Sequence, residues 1–367
     1  MLSTSNVSGG DYYLNTSNYS LSKDELLQSR ELYGNLLPDL NLTEKFNKDD
    51  FINLLEGKII LKQKDDTNID DDQSNTSIIE LGRRKDGEID HDKGRDLTFS
   101  APKSVSLQHN MEGGDKRIKN ALFNATKETL AYIEKNFTFT RVKDKSGKIE
   151  LQKTDNLASS LFYENLNRDL EFDDHIHCVI FNMTKRADGK FRSVEFKKII
   201  ENKMHFGKIF RLNLANQIQK LGYEIDITNE KYNFFEIKGF SKDLIKEFSS
   251  RTETINQKAL ELNPNPNAKT KELANLLTRN NKAETLSITN IKDVISKRVR
   301  NLLVKLGITK DEIIEDIKLL TKEAKNGKLS SNSSMNAKKA IGFAVEHLSE
   351  NRSYFLNKDV IEHAVGY

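Results

Sequence analysis

Apolar residues recur along the chain with two different periods, which predict a mixture of helices and strands. Spacings of three or four residues predict helices at 116–137, 194–221, 242–262, 271–280, 291–306, 310–325 and 336–348. Short β-branched or aromatic stretches between turn formers predict strands at 95–99, 137–143, 148–153, 175–182, 223–228 and 232–237. Strands and helices do not strictly alternate, so we expect an α+β sheet domain followed by helices.

Two polar segments interrupt this pattern. Residues 64–77 repeat Asp, Asn and Ser, which is typical of a solvated loop. Residues 263–267 read NPNPN, and two prolines in five positions exclude regular structure there. We therefore place a boundary between a compact body at 1–262 and a helical extension that begins at 263.

Charge is unevenly distributed along the chain. The sequence has 58 Lys and Arg against 55 Asp and Glu, a formal net charge of +3. Residues 241–340 hold 20 basic and 12 acidic residues, an excess of +8, and the remainder sums to −5. The C-terminal third is therefore the basic part, which suits nucleic-acid binding.

Several classes of protein are excluded by simple features. Apolar runs fall far short of the roughly 20 residues needed to cross a bilayer, so we expect no membrane insertion. The N-terminus lacks a basic flank followed by an apolar stretch, so no secretory signal is visible. The single cysteine, Cys178, permits no internal disulfide, which fits a reducing cytoplasm.

Two histidines flank one apolar residue at the start of a predicted strand, in the segment DHIHCVIF at 174–181. Strand alternation puts His175 and His177 on one face, with Ile176 and Cys178 on the other. Two imidazoles about 7 Å apart can share a divalent ion if a third ligand arrives from elsewhere. The pair can equally be structural or merely exposed, and the spacing alone does not decide.

Two further features could carry chemistry. Asp96 opens the strand in GRDLTFSAPKSVSL at 94–107, where an acidic residue is either functional or solvated. Tyr12 and Tyr13 form a pair near the N-terminus, followed by Tyr19. Such tyrosines are either reactive or serve in packing with exposed hydroxyls.

Together these segments resemble the MobF-class relaxases of conjugative plasmids and integrative elements, which belong to the HUH endonucleases. The tyrosine pair, GRDLTFSAPKSVSL and NRDLEFDDHIHCVIFN carry the resemblance in order and spacing, and LANQIQKLGYEI and LLTRNNK extend it over about residues 1–350. The resemblance implies an HUH fold, with a mainly antiparallel central sheet flanked by helices. It also implies a relaxase body at 1–262, a helical DNA-clamping extension at 263–332, and the start of a helicase-side region at 333–367.

The resemblance also implies roles for individual residues. Tyr12 matches the nucleophile that retains DNA as a 5′-phosphotyrosine, and Tyr13 completes the first tyrosine pair. Tyr19 falls where the family has its second pair, although Ser20 replaces the other member. Asp96 resembles the aspartate that orients a metal-ligating histidine or accepts the tyrosine proton.

The expected metal ligands depart from the family at one position. His175 and His177 match two of three histidines, whereas Glu164 stands eleven residues before the pair, where the family has the third. A carboxylate makes the donor set harder, so we expect a divalent ion, with a relative preference for Mg²⁺ or Mn²⁺.

The activity implied is site- and strand-specific nicking at an origin of transfer in a bacterial cytoplasm. The implied partners are single-stranded and hairpin DNA, relaxosome accessory proteins and a type IV secretion coupling protein, with the chain itself a monomer. Expected phosphate contacts are Arg83, Arg84, Arg168, Lys185, Arg192, Arg251 and Arg279. No G-x-x-x-x-G-K-[ST] motif occurs, so we expect no ATPase or helicase activity.

Two alternative functions stay open on the sequence alone. A rolling-circle replication initiator of the HUH class would use the same chemistry at a different origin. A catalytically weakened single-stranded DNA-binding module is the second, because Glu164 replaces a histidine.

Overall fold

The computed structural model describes residues 2–15, 30–62, 76–278 and 288–327, and its central element is a five-stranded sheet. In chain order the strands are β1 Leu2–Asn6, β2 Arg30–Tyr33, β3 Lys58–Lys62, β4 Thr76–Glu80, β5 Arg83–Lys85, β6 Glu88–Asp90, β7 Gly94–Ser100, β8 Phe139–Lys143, β9 Ile149–Lys153, β10 Ser159–Leu166, β11 Phe172–Phe181, β12 Thr184–Lys185, β13 Phe191–Arg192, β14 Ile225–Asn229 and β15 Phe234–Ile237. The helices are α1 Asp11–Asn15, α2 Lys48–Leu55, α3 Lys103–Asn110, α4 Arg117–Phe137, α5 Lys197–Glu201, α6 Lys203–Lys220, α7 Lys242–Glu247, α8 Ser250–Leu262, α9 Ala268–Leu277, α10 Ile288–Leu306 and α11 Lys310–Asn326.

The central sheet has the order β1-β7-β11-β10-β2, and all of its neighbouring strands are antiparallel. The remaining strands of the described chain pair as five two-stranded antiparallel sheets. The prediction of an α+β fold with a mainly antiparallel central sheet is confirmed.

Helices cover both faces of the sheet, so nearly every residue of β11 is buried. Ile176 and Cys178 point into a core that includes residues of α4 and α6. Val179 and Phe181 point to the other face, where they pack with Phe51 of α2. As expected from strand alternation, Cys178 lies on the face away from the histidines.

Two of the predicted helices are each divided into two in the structure. The stretch 194–221 forms α5 and α6, separated at Asn202, whose side-chain Nδ2 donates to the carbonyl of Lys198 at 2.7 Å. The stretch 242–262 forms α7 and α8, separated near Ser249, whose Oγ donates to the carbonyl of Ile245 at 2.6 Å. Such side-chain hydrogen bonds offer the helix carbonyls a second partner at each break.

The last two helices of the described chain share a core with the sheet domain. Leu303 of α10 and Ile313 and Ile317 of α11 pack with Leu107 of α3 and Leu244 of α7. The predicted helix at 336–348, and all of the 64–77 loop except its last two residues, lie outside the described residues. None of the helices in the described ranges is both long and apolar enough to span a bilayer.

Candidate metal and tyrosine site

Two neighbouring strands bring the three expected metal ligands together. Glu164 of β10 lies directly opposite His175 of β11, and His177 is two positions further along the same face. Ligand atoms of the three side chains all lie within 4.8 Å of one another, and Glu164 Oε2 is 3.5 Å from His175 Nε2. One carboxylate and two imidazoles with open positions are a suitable donor set for a divalent ion.

Each of the two imidazoles has a hydrogen-bonding oxygen of the protein close to its Nδ1 atom. His177 Nδ1 lies 2.7 Å from Asp96 Oδ2 and 3.2 Å from Thr98 Oγ1. His175 Nδ1 lies 2.7 Å from the carbonyl oxygen of Asp173. Acceptors at Nδ1 fix the ring orientation and leave Nε2 for a metal, so the residues present fit the ion.

The electrostatics of the site favour a positive charge. Burial alone would lower the pKa of His175, but the hydrogen bond to Glu164 and the charge of Asp173 outweigh it. They raise the pKa of His175 to about 9. The carboxylates around this histidine therefore attract a cation.

The two tyrosines on α1 occupy different environments. Tyr13 is 5% exposed, its ring packs on Phe162, and its hydroxyl donates to Asp96 Oδ2 at 3.0 Å. Burial, together with the charge of Asp96, raises the pKa of Tyr13 well above its usual range. Tyr12 is only half-buried, and its ring centroid lies 5.9 Å from that of His177.

The GRDLTFSAPKSVSL motif makes hydrogen bonds to the first residues of β11, the strand that carries His175 and His177. Lys103 Nζ donates to the carbonyl of Phe172 at 2.6 Å, and the N–H of Ala101 donates to the carbonyl of Asp174 at 2.9 Å. Ser106 Oγ accepts the N–H of Asp174 at 2.9 Å. Most of this motif therefore orients β11, while Asp96 and Thr98 face the site.

A cleft of about 690 Å³ contains the site. It is lined by Tyr12, Tyr13, Asp96, Glu164, His175 and His177, and by Arg168 and Arg251 from the expected DNA-binding set. The sequence did not single out Glu272, Asn275 and Leu276 of α9, which also line it. Leu276 is the first residue of the LLTRNNK segment, and Glu272 and Asn275 come just before it, so that segment and the basic charge around it were the available signals.

The other expected phosphate contacts lie elsewhere. Arg83 and Arg192 line a separate cavity of about 970 Å³, and Arg84 is exposed beside Glu80. Lys185 Nζ lies 2.6 Å from Asp39 Oδ1. Tyr19 and Arg279 lie outside the described residues.

A half-buried arginine that no sequence motif marks secures α1. Arg30 Nη2 donates to the carbonyls of Tyr13 and Leu14 at 3.2 and 3.4 Å. Its guanidinium carbon lies 5.8 Å from the ring centroid of Phe162. No motif marks this residue, because its role depends on a contact between β2 and α1.

Comparison with known proteins identifies the family. A family profile described as TrwC relaxase matches residues 3–302. The chain belongs to the TrwC relaxase family. The resemblance to MobF-class relaxases is thereby confirmed.

Individual relatives of the TrwC relaxase family agree with this assignment. Multifunctional conjugation protein TraI of Escherichia coli K12 is 31% identical over 284 residues, which cover 75% of this chain and 14% of TraI. A metal-bound structure of conjugative relaxase TrwC in complex with oriT DNA is 28% identical, with a TM-score of 0.65. TrwC complexed with a 27-mer DNA that comprises the recognition hairpin and the cleavage site is 27% identical, with a TM-score of 0.64. Each TrwC alignment covers 84% of this chain and 100% of TrwC.

Proposed function

We propose that this protein nicks one strand of DNA at an origin of transfer and retains the strand on Tyr12. The observation that carries the proposal is the meeting of Tyr12, Asp96 and the Glu164–His175–His177 triad in one cleft. The solved TrwC structures, which contain oriT DNA, support the choice of substrate.

The reaction exchanges one phosphodiester bond for another. As the Tyr12 oxygen bonds to phosphorus, its proton leaves, and the bond from phosphorus to the 3′-oxygen breaks as that oxygen gains a proton. Because the ester is conserved, the same site can rejoin DNA without ATP. Exposure supports Tyr12 as the nucleophile: Tyr12 is half-buried at the cleft, whereas Tyr13 is 5% exposed and its hydroxyl is bonded to Asp96.

Glu164, His175 and His177 are the residues that would hold a divalent ion, Mg²⁺ or Mn²⁺ by our proposal. When bound, such an ion supplies Lewis-acid stabilisation of charge on the non-bridging phosphate oxygens. Asp96 acts on this set through His177, whose ring it orients.

Basic side chains in two places suit two parts of the DNA substrate. Arg168 lines the catalytic cleft, where we propose that it contacts a phosphate of the single strand. Arg83 and Arg192 line the second cavity, which we assign to the hairpin. We also propose peripheral phosphate contacts for Arg84, Lys185 and Arg279. Tyr19 is proposed to act in a later cleavage.

The wider setting is proposed from the family. We propose residues 1–262 as the relaxase body, 263–332 as the extension that closes on DNA, and 333–367 as the start of a further region. Relaxosome accessory proteins and a type IV secretion coupling protein are the proposed partners of a cytoplasmic monomer.

Labelled oligonucleotides that tile the DNA beside the gene provide the test. With Mn²⁺, we expect a covalent adduct on a denaturing gel with one oligonucleotide strand, and none after chelation of the metal. Binding without any adduct, over all tiles and divalent ions, would instead support a non-catalytic DNA-binding module. Adduct formation only with a replication-origin sequence would support a rolling-circle initiator.

A further inference from the structure

Arg251, near the start of α8, lies at the junction of three structural elements. Its Nη1 donates to the carbonyl of Thr278 at 2.5 Å. Its Nη2 donates to the backbone carbonyl and side-chain Oδ1 of Asn275, at 2.9 and 2.7 Å. Its Nε lies 3.9 Å from Asp169 Oδ2. Every nitrogen of this guanidinium therefore faces a protein acceptor.

The acceptors on one side belong to the turn that joins the two metal-site strands. Asn167 Oδ1 accepts the N–H groups of Asp169 and Glu171, at 2.9 and 3.0 Å, which fixes the turn between β10 and β11. Glu171 Oε1 also accepts the N–H of Ser250 at 2.9 Å, at the first residue of α8. The start of α8 is thus fastened to the strands that carry Glu164 and His175.

The acceptors on the other side belong to the end of α9. Thr278 follows the last residue of this helix, and a guanidinium there satisfies terminal carbonyl groups and complements the helix dipole. The same helix presents Leu276, which is 60% exposed, to the catalytic cleft. The position of this cleft wall therefore depends on what holds the end of α9.

We propose that Arg251 is a positioning residue that latches α9 over the cleft, and that it is not the phosphate contact expected from the sequence. This inference rests on the proposed function, because a latched α9 would retain single-stranded DNA beside Tyr12. The planar guanidinium bridges acceptors on α9 and the turn at once. A lysine has one nitrogen and cannot bridge them in the same way.

The salt dependence of DNA binding and the hydrogen exchange of α9 distinguish a latch from a phosphate contact at Arg251. We would compare the full-length wild type, Arg251→Lys, Arg251→Ala and, as the matched phosphate-contact control, Arg168→Ala. Single-stranded oligonucleotide binding would be measured with metal chelated, between 50 and 200 mM NaCl. Hydrogen exchange of the amides of α9 would be measured without DNA, and circular dichroism would check folding.

For a latch, Arg251→Lys should bind DNA about tenfold more weakly, with a faster dissociation rate and an unchanged slope of log K against log salt. Amides of α9 should exchange faster in Arg251→Lys and not in Arg168→Ala. Arg168→Ala should lower the slope by about 0.7.

A slope reduced by about 0.7 in Arg251→Ala, with unchanged exchange in α9, would overturn the latch and restore the phosphate contact. Unchanged exchange in both Arg251 variants would overturn it whatever the DNA result. Because the exchange experiment contains no DNA, it is independent of the nicking proposal, which is tested separately by adduct formation in the wild type.

Discussion

Replacement of Asp96 by asparagine tests how the site is built. Asp96 is 3% exposed, and its Oδ2 receives both His177 Nδ1 at 2.7 Å and the Tyr13 hydroxyl at 3.0 Å. Asparagine keeps the shape of the side chain but offers one neutral acceptor and one NH₂ donor. An amide oxygen at the Oδ2 position can still accept from both partners, but it carries no charge, so the His177 ring loses its charged anchor.

The size of the effect follows from the remaining contacts. Loss of a partner behind a metal-ligating histidine typically costs 10- to 100-fold in metal affinity, about 1.4–2.7 kcal/mol. His177 Nδ1 keeps a second neighbour, Thr98 Oγ1 at 3.2 Å, which can still orient the ring in part. We therefore expect Asp96→Asn to weaken metal binding by about 10- to 30-fold, in the lower part of that range.

The assay is a titration of metal-free protein with Mn²⁺, followed by electron paramagnetic resonance of the free ion. Thr98→Val is the matched control, and we expect less than a threefold loss because its contact is longer and neutral. The adduct yield of Asp96→Asn should recover in part when Mn²⁺ is raised. If Asp96→Asn binds Mn²⁺ as tightly as the wild type, Asp96 does not act through His177 and the reasoning is wrong.

Three further predictions concern single side chains. Glu164→Ala should lose Mn²⁺ affinity in the same titration. Glu164→His should retain Mn²⁺ binding and shift its relative metal preference from Mg²⁺ towards softer ions. Equal Mn²⁺ affinities in the wild type and both variants would remove Glu164 from the metal site. Tyr13→Phe should keep the covalent adduct while losing about 1–2 kcal/mol of unfolding free energy in a denaturant titration, because Asp96 loses a buried hydrogen bond; loss of the adduct with metal binding intact would make Tyr13 the nucleophile. Burial would raise the pKa of Asp115, but hydrogen bonds from Arg117 outweigh burial and lower the pKa of this carboxyl in the folded state. The ionised carboxylate therefore stabilises the fold above the unfolded-state pKa of about 4, and this stabilisation is lost as pH falls through the folded-state pKa. Asp115→Asn weakens hydrogen bonds to a partly exposed arginine, so it should lose about 1–2 kcal/mol of unfolding free energy at pH 7. It should also lose less stability between pH 5 and pH 2 than the wild type; parallel pH profiles would contradict this.

Much of the fold was predictable where one face of an element differs from the other. The helix predicted at 116–137 is α4, and the strand predicted at 95–99 is part of β7. The strand β10 was not predicted, because it is buried on both faces and its sequence SSLFYENL does not alternate. The histidine strand begins earlier than predicted, at Phe172, because the motif at 94–107 holds its first residues by hydrogen bonds to the backbone.

The site divides in the same way. The sequence could predict Tyr12, Asp96 and the two histidines as site residues, because each stands in a motif. The contacts that orient these elements could not be predicted from the sequence. Arg30 bonds to α1 and Arg251 to the end of α9 through backbone carbonyls, and every residue type has a backbone carbonyl. An arginine that caps a helix and one that binds a phosphate look identical in a sequence, and only the geometry distinguishes them.

The central claim is that Tyr12 carries the cleaved strand. Its most direct test is peptide mapping of the Mn²⁺-dependent adduct by tandem mass spectrometry after digestion with nuclease and protease. The account predicts a 5′-phosphoryl nucleotide on Tyr12 and no adduct in Tyr12→Phe. A nucleotide on Tyr13, or an adduct of undiminished yield in Tyr12→Phe, would contradict it.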